Sequence, residues 1–379
     1  MQDRIPLTLI TGYLGAGKTT LLNALLRDAS AGRIAVIVNE FGDVGLDHDL
    51  IVTATEDLVL LPSGCLCCTV RGDLVQALER LVARRAAGVL AFDRIVIETT
   101  GLADPGPILH TLIVTPSLGA ALRMDGMVTV CDAANGAATL DHGFESVTQV
   151  AMADVIVITK SDLVPPAQLA TFQARLAAIA PGATQIVAVN AQVPVAALFG
   201  KGTPEQDGHL PGAVGWINAP AYAPAYAPSC APDYPAALPP RRSLADIQPQ
   251  GLLAAKAAPG LFATLARPAA RHDDRITAVS AIYDAPLQPH ILELWLEALI
   301  ALRGPDILRL KAVLWVDGYD TPFVIHGVQH IIDPPVRLQR WLGADHKSRI
   351  VIIGRDLPRA TLLDALDMLR IRPDLHILA

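Results

Sequence analysis

The chain has 379 residues, 30 basic side chains against 37 acidic ones for a net charge of −7, and 52% hydrophobic residues. With 18% charged residues it can bury a real core, which excludes wholesale disorder, and the mild acidity argues against nucleic-acid binding, which would ask for a basic stripe. Apolar runs such as 34–38 and 155–158 fall far short of the ~20 residues that cross a bilayer, and the polar N-terminus is unlike a signal peptide, so a cytoplasmic protein with neither nucleic-acid nor membrane partners is expected.

The length suggests two or three domains at about 150 residues each. In chain order, the first predicted strand is 5–11 and the first predicted helix 19–27. Further strands are predicted at 33–39, 94–98, 126–132, 155–159 and 185–189, with helices at 73–86 and 166–179 between them. Most of these strands are β-branched and apolar on both sides, the pattern of a parallel sheet covered on both faces by helices. The alternation gives an α/β domain over 1–200.

Between the first strand and the first helix lies Gly12-Tyr-Leu-Gly-Ala-Gly-Lys18-Thr19-Thr20, which matches the GxxxxGK[ST] phosphate loop in its confirming strand–loop–helix setting. Backbone N–H groups must turn inward around an anion at a helix N-terminus, and glycine-rich backbone permits that. Gly12, Gly15, Ala16, Gly17, Lys18, Thr19 and Thr20 are therefore candidate nucleotide-binding residues. Lys18 would meet the β- and γ-phosphates and act in catalysis, and the Thr19 hydroxyl would ligate Mg²⁺.

Two strand ends extend this assignment. Strand 94–98 ends in Glu98, which can hold Mg²⁺ through a water, and Gly101 follows three residues later, its N–H placed to sense a γ-phosphate; a plain turn is the alternative. Strand 155–159 runs into Thr159-Lys160-Ser161-Asp162. This resembles the guanine-reading Asn-Lys-x-Asp box, with Asp162 accepting from N1–H and the 2-amino group and the Lys160 stem covering the base. Asn190 and Ala191, after the next strand, could supply an N–H to the guanine O6. GTP is thus favoured over ATP.

Five cysteines form a poor disulfide framework, but three crowd into Cys65-Leu66-Cys67-Cys68. Thiolates at that spacing suit Zn²⁺, Co²⁺ or Cu⁺; a buried structural trio and a redox site are the alternatives. Upstream, 38–47 is acidic and glycine-broken, where a nucleotide-sensing loop would sit. Glu40 and Asp104 are candidates for positioning the attacking water. Cys131, at a strand end, reads as a small buried apolar residue.

Composition changes after Gly200: residues 201–240 hold nine of the 29 prolines and nine alanines, so 201–274 reads as a Pro/Ala-rich linker. From 275 to 379 a smaller α+β domain follows, with strands at 276–283, 308–316, 323–332 and 349–353 and helices at 290–303 and 359–369. His326 and His330 are assigned to surface or client-facing positions.

Taken together, 11–23, Asn39-Glu40-Phe41-Gly42, Gly64-Cys65-Leu66-Cys67-Cys68 and Glu98-Thr-Thr-Gly101-Leu-Ala-Asp104-Pro105 closely resemble the CobW-like family of metallochaperone GTPases, relatives of HypB and UreG. Leu310-Lys311 and 349–355 resemble the family's smaller domain. The resemblance implies a P-loop NTPase fold with a C-terminal α+β domain, and a slow GTPase. In such an enzyme Cys65, Cys67 and Cys68 bind a transition metal, zinc or cobalt, for delivery to a client metalloprotein, and a homodimer is compatible with it. It also implies Lys18 and Thr19 as phosphate and Mg²⁺ residues and Asp162 as guanine reader. The family's box usually has Asn where this chain has Thr159. The histidine-rich stretch of many members is missing, since 201–270 holds only His209. A nucleotide-switched binding module without metal delivery is the alternative.

Overall fold

The computed structural model describes residues 4–38, 58–60, 70–189, 192–200, 275–328, 331–332, 335–341 and 345–371. The predicted linker 201–274, the acidic loop, the cysteine trio and Asn190-Ala191 lie outside the described residues.

Seven strands make the first sheet: β1 (Ile5–Thr11), β2 (Ile34–Val38), β3 (Leu58–Leu60), β4 (Arg94–Glu98), β5 (Leu122–Asp132), β6 (Val155–Thr159) and β7 (Thr184–Val187). Their order is β3-β2-β4-β1-β5-β6-β7, and all neighbours run parallel. Strand residues alternate between two cores, which is why these segments look apolar throughout. Ile156 and Ile158 join one core with Leu7, Leu9, Ile95 and Ile97. Val155 and Val157 join the other with Val36, Val96 and Val128. Helices α1 (Lys18–Arg27) and α8 (Val195–Leu198) cover the second core. The first is covered by α2 (Val70–Ala86), α3 (Gly106–Val114), α4 (Pro116–Ala121), α5 (Gly136–His142), α6 (Phe144–Ala151) and α7 (Pro166–Ile179). Each large aliphatic side chain buried this way contributes roughly 1.5–3 kcal/mol.

The second sheet has the order β11-β10-β9-β13-β8, from β8 (Ile276–Tyr283), β9 (Ile307–Leu314), β10 (Phe323–Val328), β11 (Ile331–Ile332) and β13 (Ser348–Arg355), with β12 (Val336–Arg337) beside β10. Its pairings are antiparallel. One face packs on α9 (Pro289–Arg303) and α10 (Arg359–Asp367), where Leu310, Ala312, Ile325, Ile350 and Ile352 meet the fully buried Trp295 and Leu362. Through the other face, Val313, Val324, Val351 and Ile353 share the core that holds α6 and α7. The two sheets therefore belong to one compact unit.

Differences from the sequence-based elements have local causes. Strand β5 begins four residues earlier than predicted, because Arg123 and Asp125 satisfy each other at 2.9 Å and Arg94 joins Asp125 at 3.0 Å, so polar residues stay in a buried strand. The predicted single strand 323–332 is two antiparallel strands, with Gly327 opposite Ile332. Helices α3 to α6 were not read from the sequence: they are only six to nine residues long, and α3 and α4 also contain both Pro and Gly. Among the described residues no helix is long and apolar enough to cross a membrane.

Candidate nucleotide site

Gly12 leaves β1 with φ +137°, and a Cβ there would stand 2.2 Å from the Val130 carbonyl oxygen on β5. No side chain fits. Gly15 and Gly17 also take positive φ, at +72° and +98°, and Gly17 starts α1 without a side-chain cap. The loop thus turns its backbone through conformations that L side chains rarely adopt and opens the uncapped amides of α1 toward the loop's interior. Ala16 is buried, Thr20 exposed.

Lys18, only 8% exposed, donates from Nζ to the Tyr13 carbonyl at 3.1 Å across the loop. Thr19 donates from Oγ1 to Glu98 Oε1 at 2.7 Å. The structure therefore brings together the two residues assigned to Mg²⁺ from the sequence. Glu98 is buried at the end of β4, beside Ile10 of β1 and Val38 of β2. A hydroxyl and a carboxylate are hard oxygen donors, and next to a phosphate loop that donor set fits Mg²⁺.

Beyond Glu98 the chain is pinned to the loop. Thr99 donates N–H to Ile10 O at 3.0 Å and Oγ1–H to Thr11 Oγ1 at 2.8 Å. Gly101 is buried, and a Cβ there would meet the Leu14 amide nitrogen at 2.5 Å, so only glycine lets this turn close on the phosphate loop. Asp104 accepts the Gly106 N–H at 2.9 Å, which engages its carboxylate at the start of α3.

At the end of β6, Thr159 is buried and donates Oγ1–H to Ala16 O at 2.7 Å, and its Oγ1 lies 3.3 Å from Cys131 O. The residue in the usual Asn position thus ties the segment Thr159-Lys160-Ser161-Asp162 to the phosphate loop. Lys160 takes φ +54° and places Nζ 2.6 Å from Asp132 Oδ2. Burial raises the Asp132 carboxyl, but the bonds from Lys160, Asn135 and the Ala134 amide outweigh it and hold the group below its ordinary range. Asp162 is exposed on the turn Ser161–Leu163.

Asp132 and Gln149 went unread in the sequence. The signal for Asp132 was an acid closing a buried strand; for Gln149 it was an amide side chain within the mostly apolar run 147–152. Both line a cavity of about 230 Å³ beside the loop, with Tyr13, Cys131, Asn135 and Phe172. Burial, aided by the neighbouring Asp132 charge, pushes the Cys131 thiol up to about 12, in keeping with an inert apolar role. His326 departs from its surface assignment: it is 7% exposed, opposite Lys311 on β9, because the second sheet turns this face onto the first. Glu40, Cys65, Cys67, Cys68, Asn190, Ala191 and His330 lie outside the described residues. Among the described residues no group of three His, Cys, Asp or Glu side chains is placed to hold a metal.

Residues 6–187 match the CobW/HypB/UreG nucleotide-binding domain, and residues 276–370 match the cobalamin synthesis protein CobW C-terminal domain. The chain belongs to the CobW family. Among its relatives, the zinc chaperone YjiA of Escherichia coli K12 is 29% identical over 373 residues, covering 97% of this chain and all of that protein. The zinc chaperone CobW of Sinorhizobium sp. is 35% identical over 232 residues, 53% of this chain and 64% of its own length. The crystal structure of Zn(II)-bound YjiA GTPase from E. coli superposes with a TM-score of 0.66 at 25% identity, covering 98% of this chain and 100% of that one. The family's two-part architecture, a P-loop NTPase sheet and a smaller antiparallel C-terminal sheet, is the one described above.

Proposed function

We propose that this family member is a cytoplasmic GTPase that takes up zinc through Cys65, Cys67 and Cys68 and hands it to a client metalloprotein, with cobalt as the other metal such thiolates accept. The chain divides as a nucleotide domain over 1–200, a linker over 201–274 and a C-terminal domain over 275–379. The observation that carries the GTPase reading is the Thr19–Glu98 contact beside a loop in which a side chain at Gly12 would strike Val130 O and Gly15 and Gly17 hold positive φ. The zinc reading is supported by relatives named as zinc chaperones.

In this reading the loop amides and Lys18 hold the β- and γ-phosphates. Thr19 and Glu98 hold Mg²⁺, which when bound neutralises charge on the phosphate oxygens. Gly101 offers its N–H to the γ-phosphate, and Asp162 selects guanine through two charge-assisted bonds. Glu40 and Asp104 are the candidates for orienting water. Zinc is cargo, and hydrolysis times its release.

Phosphate release from GTP and from ATP with Mg²⁺, together with zinc content per chain, tests the proposal. Turnover of GTP but not ATP is expected, with zinc lost in the Cys65→Ser/Cys67→Ser/Cys68→Ser variant. Equal turnover of both nucleotides would overturn the guanine assignment. A variant that keeps its zinc would overturn the thiolate site and leave a nucleotide-switched binding module.

A further inference from the structure

Helix α6 touches three things at once. In its middle, Gln149 is fully buried and donates both Nε2 hydrogens to the turn after β4, to Gly101 O at 3.3 Å and Ala103 O at 2.9 Å. Its Oε1 is buried without a hydrogen bond, a stability cost that an apolar residue would avoid. At its N-terminus, Phe144 lies under two guanidinium groups of the second sheet, Arg275 at 4.6 Å and Arg355 at 5.6 Å from the ring centre. Just past its C-terminus, Met152 O accepts from Arg309 Nη1 at 2.8 Å, and Asp154 Oδ1 accepts from Arg309 Nη2 at 2.5 Å and from Lys311 Nζ. Between these ends Ser146 to Ala151 are all buried. The helix cannot shift without disturbing the Gly101 turn or the clamps of the second sheet.

We infer that Gln149 is a positioning residue for the Gly101–Ala103 turn, and that α6 carries the state of that turn to the C-terminal sheet. This rests on the proposal that Gly101 meets a γ-phosphate. A phosphate that draws the Gly101 amide toward it moves two carbonyls held by one amide side chain, and α6 moves with them. The second sheet, gripping α6 at both ends, receives the displacement. Coupling of this kind is reciprocal, so loosening the grip must weaken discrimination between GTP and GDP by the same factor.

The sequence supplies its own reporter. The four tryptophans are Trp216, Trp295, Trp315 and Trp341, and residues 1–200 contain none. In a full-length Trp216→Phe background, the remaining emission comes from the C-terminal domain alone. Calorimetry first establishes binding of GDP and of a non-hydrolysable GTP analogue with Mg²⁺. The expected result is a different tryptophan emission in the two nucleotide states, lost in Gln149→Met, which keeps length and volume but has no donor, while both nucleotides still bind. Phe144→Leu, which leaves every buried charge paired, should lower the ratio of GTP-analogue to GDP affinity by about 5-fold or more. If the analogue binds and the emission is the same in both states, the coupling is wrong and the GTP reading stands. An emission difference that survives in Gln149→Met, or an unchanged affinity ratio in Phe144→Leu, also overturns the coupling. Failure of the analogue to bind overturns the GTP reading and, with it, this inference.

Discussion

Lys18 and Lys311 are both withdrawn from solvent, at 8% and 5% exposure, yet the first rests against a backbone carbonyl of the phosphate loop and the second against the carboxylate of Asp154. Lys18 stands at the end of the sheet where β1 and β4 deliver their last residues, facing a cradle of glycine backbone. Lys311 stands where the second sheet meets the first, with Arg309 beside it and the Met127 amide donating to the same Asp154 at 2.8 Å. Lys18 is set against backbone of the glycine loop at a sheet end, while Lys311 is set against a carboxylate where the two sheets meet. Buried charge alone therefore does not mark a site. What marks it is the setting, a glycine backbone loop at strand ends for Lys18 and a carboxylate between packed sheets for Lys311.

The largest effect expected from that contrast is on stability. Asp154→Ala leaves Arg309 and Lys311 buried without their carboxylate, and should cost about 3–5 kcal/mol in denaturant unfolding. A loss under about 1 kcal/mol would mean that the inter-sheet charges are solvated. Lys18→Ala is the converse variant, with an unfolding midpoint near that of the parent and GTP turnover reduced about 10²–10³-fold, the usual size for one preorganised electrostatic contact. Unchanged turnover at saturating GTP would break the comparison from the other side. Asp162→Asn, on an exposed turn, should weaken GTP by about 1.5–3 kcal/mol with no effect on folding, measured by calorimetry.

The inter-sheet cluster also carries a pH dependence. Burial, then the positive charges of Lys311 and Arg309, hold His326 down to about 3, against 6.5 unfolded. Between those values the unfolded chain takes up a proton that the folded chain refuses, so stability falls as pH drops from 6.5 toward 3. Asp154 is held well below its ordinary 3.8, with burial opposing and Arg309 and Lys311 prevailing, and its contribution is lost only below that. Lys311 is held down to about 8 by burial first, with Arg309 adding to it, so stability rises from pH 8 to 10.5. His326→Gln should flatten the loss above pH 4 and leave the alkaline rise in place, as read from unfolding midpoints across pH.

The same contrast explains what the amino-acid sequence revealed. The phosphate loop, Glu98 and Thr159-Lys160-Ser161-Asp162 are local motifs, each read from consecutive residues at a strand end. Strands β1, β4 and β6 were read to the residue because their apolar runs stop at polar strand ends. Arg309, Lys311 and His326 looked like ordinary strand residues, since the acid that explains Arg309 and Lys311 stands at Asp154, over 150 positions away. The tie from Gln149 to Gly101 was invisible for the same reason, and α3 to α6 were too short to show a helical period. Thr159 illustrates the middle ground. Its place at the end of a buried strand was legible, and the structure adds the partner of its hydroxyl, Ala16 O.

The measurement that most directly tests the account is the zinc affinity of the chain in its two nucleotide states, by competition against a chelator with Mg²⁺ and either GDP or a non-hydrolysable GTP analogue. A nucleotide-timed metal carrier should bind zinc more tightly with the analogue, by about 5–150-fold, and that difference should disappear in Cys67→Ser. Equal zinc affinity in the two states would contradict it, leaving a GTPase that binds metal without timing its release.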